Sequence, residues 1–567
     1  KTFFNFLEKN AYKIQYRVML SRYRGKTKCN SCHGRRLRAD ADYVKINNKS
    51  ISEINRMAIS DATLFFKALK LNSEDKKIAK RIIDEINSRL SYLKDVGLGY
   101  LTMERASNSL SGGESQRINL ATSIGSSLVG SMYILDEPSI GLHPRDSLRL
   151  IEVLKKLRDV GNSVIVVEHD EEMMKSADMI IDIGPYAGRH GGEVVFKGNH
   201  SQLVKASKSL TAKYLTGQYK IEVPKVRRKP KDFIIIEQAY LHNLQNITVK
   251  IPLNQICVVT GVSGSGKSTL IGKILHTFLE RFFLTGLVKA SHCNDIKMNF
   301  DLVSGVEYIN QNPIGKSSRS NPITYTKGYD DIRQLFASEK HAKAKGFKPG
   351  YFSFNVDGGR CEKCQGEGQL TISMQFMADV HLKCDECDGK RFKEEVLEVK
   401  FKGKNISQVL EMTVEESLDF FNEDNTLCKK IKAKIFALSE VGLEYVQLGQ
   451  ASNTFSGGEA QRIKLASFLS HNKSKQKKLF IFDEPTTGLH FHDVKKLIKA
   501  LQDLVEMGHH VVIIEHHMDI IKSADWIVDL GPEGGDKGGT LVFEGSPESF
   551  VKSKVLSPTK DHLKEYI

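Results

Sequence analysis

Eight residues, Gly261-Val262-Ser263-Gly264-Ser265-Gly266-Lys267-Ser268, match G-x-x-x-x-G-K-[ST] at every position. They follow the strand-like run Ile256-Cys257-Val258-Val259-Thr260 and precede a helical pattern from Thr269, the context a phosphate loop requires. Glycines in such a loop let backbone N–H groups close around phosphate oxygens at a helix N-terminus. The motif therefore predicts Lys267 on the β- and γ-phosphates and Ser268 on Mg2+, with Gly261, Ser263, Gly264, Ser265, Gly266 and Thr269 lining the same cradle. Gly25-Lys26-Thr27 and Gly315-Lys316-Ser317 carry only the ending of the motif. Leu20 and Asn310 stand where its leading glycine belongs, so both read as loops.

Asp483 and Glu484 end a second apolar run, Leu479 to Phe482. An acid there can hold Mg2+ through water, and the next can position an attacking water. His516 also follows an apolar run and suits a group that senses or polarises a γ-phosphate. Gln311 lies between the phosphate loop and these acids and is a candidate metal or water contact. A lone histidine after a strand is ordinarily structural, and a lone glutamine says little.

The histidine is not alone, because the chain repeats itself. Leu110-Ser111-Gly112-Gly113-Glu114-Ser115-Gln116-Arg117 returns as Phe455-Ser456-Gly457-Gly458-Glu459-Ala460-Gln461-Arg462. Leu135-Asp136-Glu137-Pro138 returns as Phe482-Asp483-Glu484-Pro485, and Glu168-His169 as Glu515-His516, with 33 residues from aspartate to histidine in both copies. A register of about 347 residues across such phrases is a duplicated domain rather than low complexity. Each copy alternates β-rich apolar runs with helical ones, which predicts an α/β fold. The polar, proline-marked stretch 221–232 reads as the linker between residues 1–220 and 233–567. No phosphate loop precedes Ser111, so the first copy has only half of what the second has.

Six of the nine cysteines form three C-x-x-C pairs. Cys361-x2-Cys364-x19-Cys384-x2-Cys387 has the spacing of a four-thiolate zinc site. Four thiolates leave no open position, so the zinc is structural. Cys29-Asn30-Ser31-Cys32-His33-Gly34-Arg35-Arg36 matches Cys384-Asp385-Glu386-Cys387-Asp388-Gly389-Lys390-Arg391 at a register of 355, which makes Cys29 and Cys32 half of an equivalent module. Its other pair is expected upstream of Lys1, together with the missing phosphate loop; truncation explains both absences with one assumption, and degeneration needs two.

A length of 567 residues implies several domains. No apolar run approaches the roughly 18–20 residues of a bilayer span, which excludes fused membrane helices. No secretory signal is visible, so paired cysteines read as metal ligands before disulfides, and the expected location is cytoplasmic. The formal net charge of +15 fits a nucleic-acid partner or an anionic surface, and equally a surface of solvated lysines.

S-G-G-E-x-Q-R is the signature phrase of ATP-binding-cassette (ABC) proteins, and the chain resembles that superfamily. The resemblance implies two ABC-type ATPase heads of the P-loop NTPase class in tandem, the second with an inserted signature and zinc subdomain over about 280–450. It implies ATP sandwiched between heads, with Lys267, Ser268, Asp483, Glu484 and His516 facing Ser111, Gly112 and Gly113, and with Asp136, Glu137 and His169 facing Ser456, Gly457 and Gly458. In these roles Glu484, His516, Glu137 and His169 are the expected catalytic groups.

Cysteine knuckles inside a tandem cassette resemble the UvrA family, the lesion-recognition ATPases of bacterial nucleotide excision repair. So do Gln311-Asn312-Pro313-Ile314-Gly315, Phe352-Ser353-Phe354-Asn355-Val356, Gly358-Gly359-Arg360-Cys361, Ser139-Ile140-Gly141-Leu142-His143 and Thr486-Thr487-Gly488-Leu489-His490. The resemblance covers essentially the whole chain and corresponds to roughly the last three-fifths of a family member. It implies a head-to-tail homodimer on lesion-containing duplex DNA, loading a UvrB partner whose docking domain is absent from this chain, with ATP, Mg2+ and Zn2+ as cofactors. Such a protein need not read sequence: lysine and arginine hold phosphates, and a lesion is felt as easier deformation. Candidate DNA-side groups are Lys316, Arg319, Lys343, Lys345, Lys348 and Arg360, in a stretch from Pro313 to Lys363 with ten basic and five acidic residues. The segment around Met374, Phe376 and Met377 is a candidate hairpin that touches DNA or packs on its own head. Competing readings are a UvrA-like antibiotic-resistance ATPase and a non-repair soluble ABC protein.

Overall fold

The computed structural model describes residues 2–23, 29–110, 112–125, 129–206, 208–286, 289–315, 317, 319–372, 380–470 and 476–567. Ser111, Lys316, the Gly25-Lys26-Thr27 loop and the hairpin residues Met374, Phe376 and Met377 lie outside the described residues. The chain forms two compact units, which do not follow the repeat boundary. One is Lys1–Lys94 with Leu101–Leu110; the other is Asp95–Tyr100 with Ser111–Ile567. The signature helix and the strands of the first repeat thus belong to the same unit as the whole second repeat.

The first unit is mainly helical, with helices Ile59–Lys67 and Ser73–Leu93 and one small antiparallel ribbon of β1 (Lys45–Ile46) and β2 (Lys49–Ser50). Ser50 starts the helix Ile51–Arg56 through a reciprocal cap with Glu53, which satisfies two otherwise unpaired N–H groups.

In the second unit the first repeat contributes β3 (Met132–Asp136), β4 (Ser163–Val167), β5 (Ile180–Gly184) and β6 (Glu193–Gly198). β3 and β4 pair in parallel, and β5 and β6 pair antiparallel. The second repeat contributes β7 (Phe233–Ala239), β8 (Ile247–Pro252), β9 (Ile256–Thr260), β10 (Asp295–Lys297) and β11 (Val306–Ile309). A hairpin of β12 (Gln369–Ile372) and β13 (Val380–Lys383) follows, then β14 (Leu479–Asp483), β15 (His510–Ile514), β16 (Trp526–Gly531) and β17 (Thr540–Gly545). The main sheet has the order β11-β14-β15-β9-β16-β17, parallel except for β17. A three-stranded antiparallel sheet, β10-β7-β8, accompanies it.

β9 lies between β15 and β16, so the loop that follows it emerges at the carboxyl end of the parallel strands, where α/β sheets hold ligands. The apolar runs of β9, β14 and β15 are buried on both faces, as central parallel strands must be. On one face Leu479, Ile481, Val512, Ile514, Val528 and Leu530 share a core with Leu270, Ile271, Ile274 and Leu275 of the helical segment Thr269–His276. Their partners in the repeat, Met132, Ile134, Ile165, Val167, Ile181 and Ile183, are all exposed; Ile134 is 68% exposed where Ile481 is 0%. Burying such a side chain contributes roughly 1.5–3 kcal/mol. The second head's sheet is therefore held from two faces and the first repeat's strands from one.

The stretch 221–232 forms no helix or strand, and it is clamped onto the second head. Arg227 donates to the carbonyls of Ala524 (2.8 Å) and Lys522 (2.7 Å) and to Glu548, while Arg228 pairs with Asp525. Among the described residues no helix is long and apolar enough to cross a membrane.

Candidate functional site

The loop after β9 folds back around its own lysine. Lys267 is buried, and its Nζ donates back to the carbonyls of Gly261 (2.9 Å) and Val262 (3.0 Å). Burial pulls its pKa down to about 8, against the opposing pull of Glu484, Asp529 and Asp483. Ser268 is exposed at the start of the helix that Thr269 continues. Asp483, at the end of β14, is held by the Tyr308 hydroxyl on β11 (2.8 Å). Gln461 of the helix Gly457–Leu469 caps the same strand end by donating to the Asp483 carbonyl (2.7 Å).

Glu484 has φ +48°, and so does its repeat partner Glu137 at +46°. A left-handed glutamate is uncommon, and finding it twice marks a functional constraint. Withdrawal from water, with Asp483 and Glu515 beside it, raises the Glu484 pKa to about 7. A carboxylate tuned there can accept a proton near neutral pH. Glu515 fixes the next turn: it accepts from the backbone N–H groups of Thr486 (3.0 Å), His516 (2.5 Å) and His517 (2.9 Å) and from the Thr486 hydroxyl. Glu168 does the same for Ser139, His169 and Asp170. His516 is buried, and withdrawal from water, with Lys267 and His143 beside it, pushes its pKa well below the usual imidazole value.

The first repeat completes this group. A methyl group built on Gly141 (φ +65°) would lie 2.9 Å from Glu484 Oε2, so the carboxylate rests on that loop where glycine leaves room, and a larger residue there would push it aside. Gly488 and Glu137 repeat the contact at 3.0 Å. The Ser263 hydroxyl donates to the Gly141 carbonyl (3.4 Å). The Tyr100 ring covers Gly264, where an added methyl would come within 2.7 Å of it, and the Tyr100 hydroxyl donates to Glu114 (2.6 Å) in the first turn of the helix Gly112–Gly125. Arg117 of that helix is buried close enough to weigh on the charges of Glu484 and His516.

Among the buried atoms of this group without a hydrogen-bond partner among the described residues are Ser265 Oγ, His516 Nδ1, and Nε and Nη1 of Arg117. Buried donors of this kind suit phosphate oxygens, which supply the missing acceptors. Ser268 and Asp483 offer the hydroxyl and carboxylate that a hard cation takes between phosphates.

At the expected second site, Asp136 ends β3, and Gln116 donates to its carbonyl (2.6 Å). His169 Nε2 stands 3.7 Å from Glu137. Ser456 caps the helix of Gly457 and Gly458 reciprocally with Glu459. Gln311 donates to the Thr487 hydroxyl (3.1 Å) and lies against Gly457. Gly112 and Gly113 begin the first signature helix.

Cys361, Cys364, Cys384 and Cys387 are buried, with their sulfurs all within 4.8 Å of one another. The Cys361–Cys384 and Cys364–Cys387 separations are 4.0 and 3.6 Å. A tetrahedron with Zn–S bonds of ~2.3 Å has sulfurs about 3.8 Å apart, close to these two separations, so the donor set and its spacing suit zinc. Cys29 and Cys32 sit on a turn of the same backbone form: His33, Gly34 and Arg36 have φ +49°, +84° and +65°, against +48°, +75° and +70° for Asp388, Gly389 and Arg391. No third ligand joins them among the described residues.

The basic candidates divide. Lys345 pairs with Glu398, Arg360 with Asp357 (2.6 Å) and Arg319 with Glu367 (3.6 Å). Lys343 and Lys348 are exposed and make no ion pair among the described residues.

No family model matches the chain. It is 51% identical over 539 residues to the UvrABC system protein A of Staphylococcus epidermidis, covering 95% of this chain and 56% of that protein. It is 51% identical over 555 residues to the same protein of Clostridium perfringens, covering 97% and 58%. The crystal structure of UvrA2 from Deinococcus radiodurans superposes with a TM-score of 0.88 at 37% identity, over 99% of this chain and 69% of that one. The chain thus spans little more than half the length of the curated relatives it matches.

Proposed function

The chain belongs to the UvrA family, and from that membership we propose that it is an ATP hydrolase that holds duplex DNA and takes part in recognising damage during nucleotide excision repair. The observation that carries the ATPase reading is the meeting of Glu484 with Gly141: groups 343 positions apart form one site around one phosphate loop. Lys267 takes the β- and γ-phosphates, the loop amides cradle them, and Glu484 receives a proton from the attacking water. Mg2+ held between Ser268 and Asp483 would neutralise charge between the β- and γ-phosphates. His516, kept neutral, presents a ring nitrogen to the γ-phosphate beside Lys267.

Closure around ATP depends on both repeats, so nucleotide state is coupled to how the heads grip a duplex. Lys343 and Lys348 are the first phosphate contacts in this proposal. Lys345, Arg360 and Arg319 exchange surface ion pairs, each contributing roughly 0–1 kcal/mol, for phosphate. The zinc module holds the β12–β13 hairpin and the loop carrying Arg360 in place. A UvrB-type partner, a head-to-tail homodimer and a cytoplasmic location complete the reading, on the strength of the family alone.

Binding to a short duplex with and without one bulky adduct, at fixed salt and with ATP present, tests it. The expected result is a preference for the adduct of about tenfold, and binding to both duplexes that weakens steeply with salt. Absence of binding to either duplex would overturn the repair reading and favour a cassette ATPase of another role.

A further inference from the structure

The heads share a second feature besides the nucleotide site, and it occurs twice. In the second head Asp529, on β16 opposite Thr260 of β9, accepts from the hydroxyls of Ser557 (2.6 Å) and Thr559 (3.1 Å). Thr559 Oγ1 lies 3.2 Å from Nε2 of His143, in the first repeat's loop after Asp136-Glu137. His143 Nδ1 accepts from the Arg145 backbone N–H (3.2 Å), so the ring carries its proton on Nε2. Nε2–H therefore donates to Thr559, whose own hydroxyl donates to Asp529. His143 and Thr559 are fully buried.

The same arrangement stands in the other direction. Asp182 on β5 accepts from Ser209 (2.5 Å) and Thr211 (3.1 Å), and Thr211 Oγ1 lies 3.2 Å from Nε2 of His490. His490 Nδ1 accepts from the His492 backbone N–H (3.2 Å). A three-part chain that recurs at matched positions of both repeats, each time crossing from one head to the other, is built rather than incidental.

Its position gives it a task. The His143 ring stands edge-on to the His516 ring, with centroids 5.9 Å apart at 88°, and the His562 ring also packs on it at 5.7 Å. His516 Nδ1 has no hydrogen-bond partner among the described residues, so packing against His143 orients the ring. Asp529, at the far end of the chain, is paired in register with the last residue before Gly261.

We propose that the segments Ser557-Pro558-Thr559 and Ser209-Leu210-Thr211 are cross-head brackets. Each captures the histidine that follows the other head's Asp-Glu pair, and the Thr559 bracket positions His143, and through it His516, for ATP hydrolysis. This rests on the nucleotide-site reading above. His143 and Thr559 are positioning residues. The His143–Thr559 bond exists only while the heads are apposed, so it ties the geometry of His516 to closure.

Thr559→Val, Thr559→Ser, His143→Ala and the double variant Thr559→Val/His143→Ala in the 567-residue chain test the proposal. Thr559→Val removes the hydroxyl at nearly constant shape and leaves a buried N–H unpaired; kcat for ATP is expected to fall about tenfold. Affinity for a fluorescent ATP analogue should change less than about twofold, and Thr559→Ser should restore turnover. The double variant should be no slower than His143→Ala, since both act through one chain. The Nε2 resonance of His143 in 15N-histidine-labelled protein should shift in Thr559→Val and return in Thr559→Ser. Unchanged kcat in Thr559→Val, a matching loss of nucleotide affinity, or multiplying effects in the double variant would overturn the bracket. A wild-type chain without ATP turnover would sink the nucleotide reading separately. The ring resonance then decides alone: a shifted His143 signal in Thr559→Val supports the bracket, and an unmoved one overturns it.

Discussion

Glu484→Gln is expected to lower kcat for ATP hydrolysis by about a thousandfold, within the range that loss of a general base produces. The amide keeps the shape of the side chain and fits the same left-handed backbone, but it cannot accept a proton from water. Lys267, the phosphate-loop amides and Asp483 are untouched, so ATP affinity is expected to stay within about threefold of wild type. Glu484 stands beside Asp483 and Glu515 in a region short of water, and removing its charge relieves that repulsion. A modest gain in affinity would therefore agree with the account. Steady-state phosphate release and equilibrium nucleotide binding, measured on the same preparation, separate the two effects. Turnover above about a tenth of wild type would mean that another group takes the proton.

Cys384→Ser is expected to abolish stable zinc binding, from one ion per chain to nearly none after dialysis against a weak chelator. Serine at this position offers no thiolate, and the remaining three sulfurs lose the closed tetrahedron that a structural site needs. Apparent binding energies of structural zinc are of order 10 kcal/mol, so the loss reaches the local fold. The cluster is nearly the whole core of its module, with only Leu370 packed against it among the described residues. The β12–β13 hairpin and the turn at Gly389 should become sensitive to proteolysis while the main sheet, whose core is separate, stays folded. Metal content by atomic absorption decides the first point. Zinc retained at one per chain would refute the four-thiolate site.

Much of the proposed nucleotide site is legible in the sequence because its parts are contiguous. The phosphate loop, the Asp483-Glu484 pair and the cysteine knuckles each announce themselves within a few residues, and the repeat gives His516 its weight. Tyr308 and Tyr100 carry no such local mark, since each reaches the site only through the fold, and Arg117, though it closes the first signature phrase, approaches Glu484 and His516 only through tertiary packing. A signal for Gly141 and for His143 does exist: Ser139-Ile140-Gly141-Leu142-His143 returns as Thr486-Thr487-Gly488-Leu489-His490. Repetition of a glycine and a histidine together outside the nucleotide motifs points to a shared contact, and the structure supplies it. Ser557 and Thr559 are unmarked, because hydroxyls near helix caps are common. Gln311 is a candidate metal or water contact from the sequence, and its amide donates to Thr487 beside the second signature. The linker reading rests on composition, whereas the docking of Arg227 and Arg228 depends on groups some 295 positions away, beyond any local pattern.

Among the basic residues, sequence places the charges and structure shows which are already engaged. An excess of lysine and arginine between Pro313 and Lys363 does not distinguish Lys343, which makes no ion pair among the described residues, from Lys345, which reaches Glu398 across 53 positions. That distinction is tertiary.

The central claim is that one catalytic centre is shared by the two repeats, and Gly141→Ala tests it most directly. The substitution lies in the first repeat, outside every nucleotide motif, yet a methyl group there would press on the Glu484 carboxylate and strain a backbone at φ +65°. The predicted result is a fall in kcat of about thirtyfold or more, with ATP binding retained and the melting temperature little changed. Turnover equal to wild type in a folded Gly141→Ala chain would show that the second repeat hydrolyses ATP without the first, and would contradict the shared centre.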